Sequence, residues 1–205
     1  MIDVHAPEHR IGGKRDFFLH LFTITIGLLI ALGLENAAEA WHHHEQKREA
    51  EAKIREEISG NLNTLQSNAA QLRQEYQQMA TLLVDLHAVQ QGKTLDGSYV
   101  QMAFHEEEIP DAAWRTASGT GVLEYMPYDE VERFANAYRE QALLQTMAEG
   151  ALNDYLELNP MMSRNLTKQD ADAMVPVVQH ALGHLRGIAA AGDGTVQSYK
   201  AALNE

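Results

Sequence analysis

Three hydrophobic patterns follow one another along this chain. The first is a continuous run: from Phe17 to Leu34, eighteen residues contain no Asp, Glu, Lys or Arg. As a helix rising ~1.5 Å per residue it covers about 27 Å, and flanking helical residues supply the rest of a ~30 Å hydrocarbon core. His20, its one ionisable residue, lies near an end and reaches the interface. A core helix of a soluble protein would carry a polar stripe that this run lacks. A cleaved signal peptide is the other alternative, since Lys14 and Arg15 precede the run and Ala38-Glu39-Ala40 has a small-x-small form. The run exceeds the ~7 to 15 residues usual in such peptides, and Glu35 intervenes before the site. The pattern therefore predicts a retained transmembrane helix over 17–34, preceded by a tail over 1–16.

The second pattern is periodic. Helix formers dominate after the membrane run, with no glycine or proline until Gly60, so the helix is expected to continue outward. From Ile54 the apolar positions are Ile54, Ile58, Leu62, Leu65, Ala69, Leu72, Tyr76, Met79, Leu83 and Leu86, in alternating steps of mostly three and four. This is a heptad-like seam, open to coiled-coil pairing with another chain or to packing under later helices of its own. The second outcome is favoured, because further amphipathic helices need a surface. Residues 35–92 thus form a stalk that Gln91-Gly92-Lys93 terminates.

The third pattern is a series of shorter amphipathic segments over 93–205. A short helix is expected around Ser98 to His105, then a loop at Glu106-Glu107-Glu108. Pro110 to about Ala117 reads as a helix opened by proline and closed by Ser118-Gly119-Thr120-Gly121. Met126-Pro127 introduces a long helix, about Tyr128 to Leu158, with Val131, Phe134, Tyr138, Ala142, Met147 and Leu156 facing inward. Thr167 and Asp170 resemble a capping box before a helix from Lys168 to about Ala190, which Pro176 either kinks or opens. Gly192-Asp193-Gly194 reads as a turn before a last helix, Thr195 to Leu203. No strand-like alternation persists. The fold class is all-α: an N-terminal transmembrane helix continuing into a long stalk, with an antiparallel helical bundle packed on it.

Charge refines this picture. The net charge of −13 falls entirely after residue 16, because residues 1–16 hold equal numbers of acidic and basic groups. An acidic surface repels phosphate backbones, which argues against nucleic acid as a partner. Arg10, Lys14 and Arg15 crowd the N-terminal flank of the membrane run, whereas Lys47 and Arg48 are the first basic residues beyond it. The positive-inside rule then places the N-terminus in the cytoplasm and the soluble part across the membrane, in the periplasm of a Gram-negative cell or outside the cell otherwise. The absence of cysteine excludes disulfides, thiol nucleophiles and cysteine metal ligands.

Candidate chemistry is sparse. Glu39, His42 and His43 are the densest set of potential metal ligands, Glu39 sharing a helix face with each histidine. One face offers two ligands where zinc needs three or four, and solvated polar residues at a membrane exit explain the cluster equally. His180 and His184 stand four apart on a helix, but no Glu follows His180 as a zinc-protease motif requires. Glu106–Glu108 lacks the alternating ligands of a calcium loop. Ser118–Gly121 resembles a phosphate cradle, yet no Lys-Ser/Thr follows it. No catalytic residues and no cofactor are expected. In the membrane run, Thr23, Gly27 and Ala31 align small side chains on one face, as helix association requires. Trp114, Tyr125, Tyr128 and Tyr138 are the candidates to line an aromatic pocket, against the commoner alternative that aromatic residues build core.

Two stretches carry a resemblance: residues 24–35 (ITIGLLIALGLE), and Trp114-Arg115-Thr116-Ala117 followed by Tyr128, Val131, Phe134, Ala135 and Tyr138. Together they resemble a family of uncharacterised bacterial single-pass membrane proteins, with a membrane segment of the Ile-Gly-x-Leu-Ile-Ala-Leu type before a helical domain. The resemblance implies architecture and bacterial origin, and no activity. The leading expectation is a non-enzymatic interaction protein or accessory subunit of the cell envelope, held in the bilayer by residues 17–34 and paired with itself or an envelope protein. A periplasmic small-molecule sensor is the alternative, and a metal-dependent enzyme a third reading.

Overall fold

The computed structural model describes residues 13–94, 104, 109–162 and 166–204. Most of the tail, the helix expected around Ser98 to His105 and the acidic run Glu106–Glu108 lie outside the described residues, Phe104 apart. Among the described residues every regular element is helical: α1 (Lys14–Gln90), α2 (Ala112–Thr120), α3 (Tyr128–Leu158) and α4 (Lys168–Leu203), with 3₁₀ turns at Val122–Tyr125 and Asn159–Met161. The chain divides into two units, one ending at Arg48 and the other beginning at Glu49.

The first unit holds the N-terminal part of α1. This segment is long and apolar enough to cross a membrane, and none of its most apolar eighteen-residue window is buried. Phe17, Phe22, Ile24, Leu28, Leu29 and Leu34 are all exposed. A soluble protein would cover so much contiguous apolar surface, so this segment is a candidate membrane span. Trp41, also exposed, lies two turns beyond Leu34, where aromatic residues are enriched at membrane–water boundaries.

In the second unit the heptad seam is closed by the chain's own helices. Ile54, Ile58 and Leu62 of α1 pack with Phe134, Ala137 and Tyr138 of α3 and with Tyr199 and Ala202 of α4. Further along α1, Met79, Leu82, Leu86 and Val89 meet Leu144, Ala151 and Leu158 of α3 and Ala171, Met174 and Val178 of α4. These pairings run α3 along α1 and return α4 antiparallel to both. The closest pair is α3 with α4. Small residues permit it: a Cβ on Gly187 would lie 3.0 Å from Met147 Sδ.

Termini follow local chemistry. Gly92 takes the left-handed conformation, with its N–H on the Val89 carbonyl and that of Lys93 on the Ala88 carbonyl, the paired bonds of a Schellman cap. At α4 the predicted capping box is present: Thr167 Oγ1 accepts the Asp170 N–H, and Asp170 accepts the Thr167 N–H at 2.8 Å.

Three expectations are corrected. The helix expected from Pro110 starts at Ala112, because the Ile109 and Pro110 carbonyls are held by side chains of α1 and α3; it runs to Thr120, absorbing most of the glycine-rich stretch, and Gly121 caps it in the left-handed region. Gly192-Asp193-Gly194 makes no turn, and α4 continues to Leu203 with Pro176 inside it. Two glycines cost about 2 kcal/mol of helix propensity, but beyond them Thr195, Tyr199 and Ala202 are buried and hold the helix in line. The inward face of α3 is also shifted. Leu156 and Ala142 point outward, while Gln141, Leu144, Ala148, Ala151 and Asp154 point inward. Polar residues on the buried stripe had hidden its true register.

Candidate functional site

The residues singled out in the sequence are dispersed. On α1, Glu39 Oε1 lies 3.5 Å from His43 Nε2, while His42 Nε2 meets the Gln46 side-chain amide at 3.0 Å. Among the described residues no third ligand joins them. Thr23, Gly27 and Ala31 lie in the candidate span. The Thr23 hydroxyl donates to the Leu19 carbonyl at 2.9 Å, so its polar group is satisfied within its own helix, and Gly27 has open space where a Cβ would stand.

The four aromatic residues are not brought together around one cavity. Trp114 and Tyr138 stack face to face at 5.4 Å, and Tyr138 is core. Tyr128 is 83% exposed and Tyr125 45% exposed. The Tyr138 hydroxyl donates to Glu57 Oε1 at 2.6 Å, and the other Glu57 oxygen accepts the Ala113 N–H at 2.9 Å. A carboxylate from α1 therefore serves the N-terminus of α2, where its charge meets the positive end of the helix. Burial, reinforced by Glu57, pushes the Tyr138 phenol well above its ordinary range; burial does the same for Tyr155 and Tyr199.

Beside this lies a buried polar network that the sequence reading missed. Gln141 Oε1 accepts from the Tyr199 hydroxyl at 2.7 Å and from Asn61 at 3.3 Å, and its amide donates to the carbonyls of Ile109 and Pro110. Arg55 bridges Glu130 at 2.6 Å and the Ala202 carbonyl at 3.0 Å, tying α1 to α3 and α4. These groups are mutually satisfied, which suits a framework that specifies packing.

The one constellation with metal-binding character among the described residues joins α3 to α4. Asp154, 5% exposed, points each carboxylate oxygen at a different ring: Oδ1 lies 2.9 Å from His180 Nδ1 and Oδ2 lies 2.6 Å from His184 Nδ1. The two rings meet edge to face at 4.4 Å. Glycine makes the seat: a Cβ on residue 150 would stand 2.8 Å from His184 Nε2. In the sequence His180 and His184 lack the Glu of a zinc-protease motif and so read as helix packing, with no third ligand beside them. That ligand comes from another helix, and the only trace of it in the sequence is an acidic residue in the inward row Ala151, Asp154, Leu158.

The bundle also holds a cavity of about 700 Å³ between α1, α3 and α4, lined largely by apolar side chains including Leu65, Ala69, Leu72, Leu144 and Leu185. Here the seam of α1 is only half-buried, because the small residues Ala69 and Ala148 leave the facing helices unfilled. Comparison with protein-family models, curated proteins and solved structures gives no match to this chain.

Proposed function

We propose that this chain is a bacterial inner-membrane protein of the single-pass family it resembles, anchored by residues 17–34 with its helical unit in the periplasm, and that it acts without catalysis as an interaction or accessory subunit of the envelope. The observation that carries the reading is the uncovered apolar surface of α1, from Phe17 to Leu34, which lipid or a partner helix must cover. The small face Thr23, Gly27 and Ala31 suits a helix partner. Arg10, Lys14 and Arg15 before the span support the orientation.

The test is affinity purification of the full chain from native membranes, followed by mass measurement in mild detergent, for the native sequence and for Gly27→Leu. The reading expects recovery in the membrane fraction, a co-purifying partner or an oligomer, and loss of any membrane-helix oligomer in the variant. A chain found in the soluble fraction, or a lone monomer in the native membrane extract, defeats it.

A second reading, a small-molecule binding module, is favoured by the cavity, whose volume falls within the ~300–1,000 Å³ of ligand pockets. Its test is Ala69→Trp, which fills that space. If the cavity serves a ligand, any apolar compound co-purifying with the native chain is lost from this variant while the fold persists.

A further inference from the structure

We infer that Asp154, His180 and His184 form a divalent transition-metal site that clamps α3 to α4, a role separate from the anchoring and partner binding proposed above. Two imidazole nitrogens and a carboxylate are the donors such cations take, and one atom from each of the three residues lies within 4.8 Å of the others. The nitrogen–oxygen separations of 2.9 and 2.6 Å can be compared with what an ion requires. Two donors held at ~2.0–2.2 Å from one ion and about a right angle apart stand roughly 2.8–3.1 Å from each other. His180 already meets that spacing, and His184 reaches it by retreating a few tenths of an ångström. The wider tetrahedral spacing, roughly 3.3–3.6 Å, is not needed, because a five- or six-coordinate ion completes its shell with water. His180 provides the access: its side chain is 69% exposed, while that of Asp154 at the base is 7% exposed.

The charge and proton balance is simple. In the neutral tautomer that carries its proton on Nδ1, each ring donates to the carboxylate when no cation is bound. On binding, that proton relocates to Nε2, the Nδ1 lone pair turns to the cation, and the carboxylate exchanges two hydrogen bonds for coordination. No redox step or co-reactant is involved, and a buried anion gains a positive partner inside the bundle. The alternative is a hydrogen-bonded triad with no affinity for metal, and the two differ in a direct measurement.

The experiment is isothermal titration of zinc chloride into the full-length chain in mild detergent, with its affinity tag removed and metals stripped by chelation. It is run in a background of His42→Gln, His43→Gln and His44→Gln, which removes the His42–His44 cluster of α1 as a competing site. The inference expects about one zinc bound per chain at micromolar or tighter affinity, and a rise in thermal midpoint on saturation. In that background Asp154→Asn and His180→Ala are each expected to weaken binding by roughly 100-fold. His180→Ala truncates a largely exposed side chain, so its folding is checked by an unchanged circular dichroism spectrum. Absence of saturable zinc in the background chain overturns the inference, as does zinc affinity that survives His180→Ala in a folded protein.

Discussion

Substituting Gln141 by Met tests whether the buried polar network determines how α1, α3 and α4 pack. Gln141 is 1% exposed, and Met keeps its length while removing four hydrogen-bonding contacts. Two of the abandoned partners have substitutes: the Ile109 carbonyl keeps Gln145 Nε2 at 2.9 Å, and the Pro110 carbonyl keeps Asn61 Nδ2 at 2.8 Å. The Tyr199 O–H loses the acceptor it donates to, and it lies on a residue with no exposed surface. An orphaned buried donor costs ~1–3 kcal/mol, and the lost network bonds bring the expected destabilisation to about 3 kcal/mol after the apolar gain of Met. For a unit of this size that corresponds to a fall in Tm of roughly 6–12 °C. Thermal unfolding of the full chain in detergent, followed by far-UV circular dichroism, reads it. Tyr199→Phe added to Gln141→Met removes the orphan, so the double variant should be more stable than the sum of the single effects by about 1–2 kcal/mol. A shift under ~2 °C for Gln141→Met, or strict additivity in the double variant, would refute the reasoning.

Gly150→Ala should destabilise the protein by about 1–2 kcal/mol, although alanine normally stabilises a helix by ~1 kcal/mol over glycine. The new Cβ displaces His184 from Asp154; a raised thermal midpoint would show that the ring relocates freely. The same variant should weaken zinc binding alongside His180→Ala. Stability should also fall steeply above pH 10. Tyr138, Tyr155 and Tyr199 keep their protons in the folded state to higher pH than in the unfolded chain, so the unfolded state loses three more protons than the native one. Stabilisation is complete below the unfolded phenol pKa of ~10 and declines by up to ~4 kcal/mol per pH unit above it. Urea midpoints across this range, with phenolate absorbance recorded in parallel, test it; phenolate absorbance from all seven tyrosines while the protein stays folded would contradict it.

Sequence alone determined what depends on local pattern. The candidate span, the helix seam from Ile54 to Leu86, the glycine stop after Gln90, the bounds of α3 and the Thr167 capping box are each written in a few neighbouring residues, because hydrophobic period, propensity and capping act within a few turns. The tertiary structure decided matters of contact between distant segments. Gly192 and Gly194 signal a turn locally, yet α4 runs through them because Thr195, Tyr199 and Ala202 must reach the core. The register of α3 could not be read from apolar residues, since Gln141 and Asp154 are polar on the buried side and acquire their partners from α1, α4 and the Ile109-Pro110 carbonyls. The same holds for the metal-site candidate: two histidines at helical spacing are visible in sequence, but the carboxylate between them arrives from a helix 26 residues earlier. Burial of a polar group is decided by whether a partner stands opposite it, and that partner is set by packing, not by neighbours along the chain.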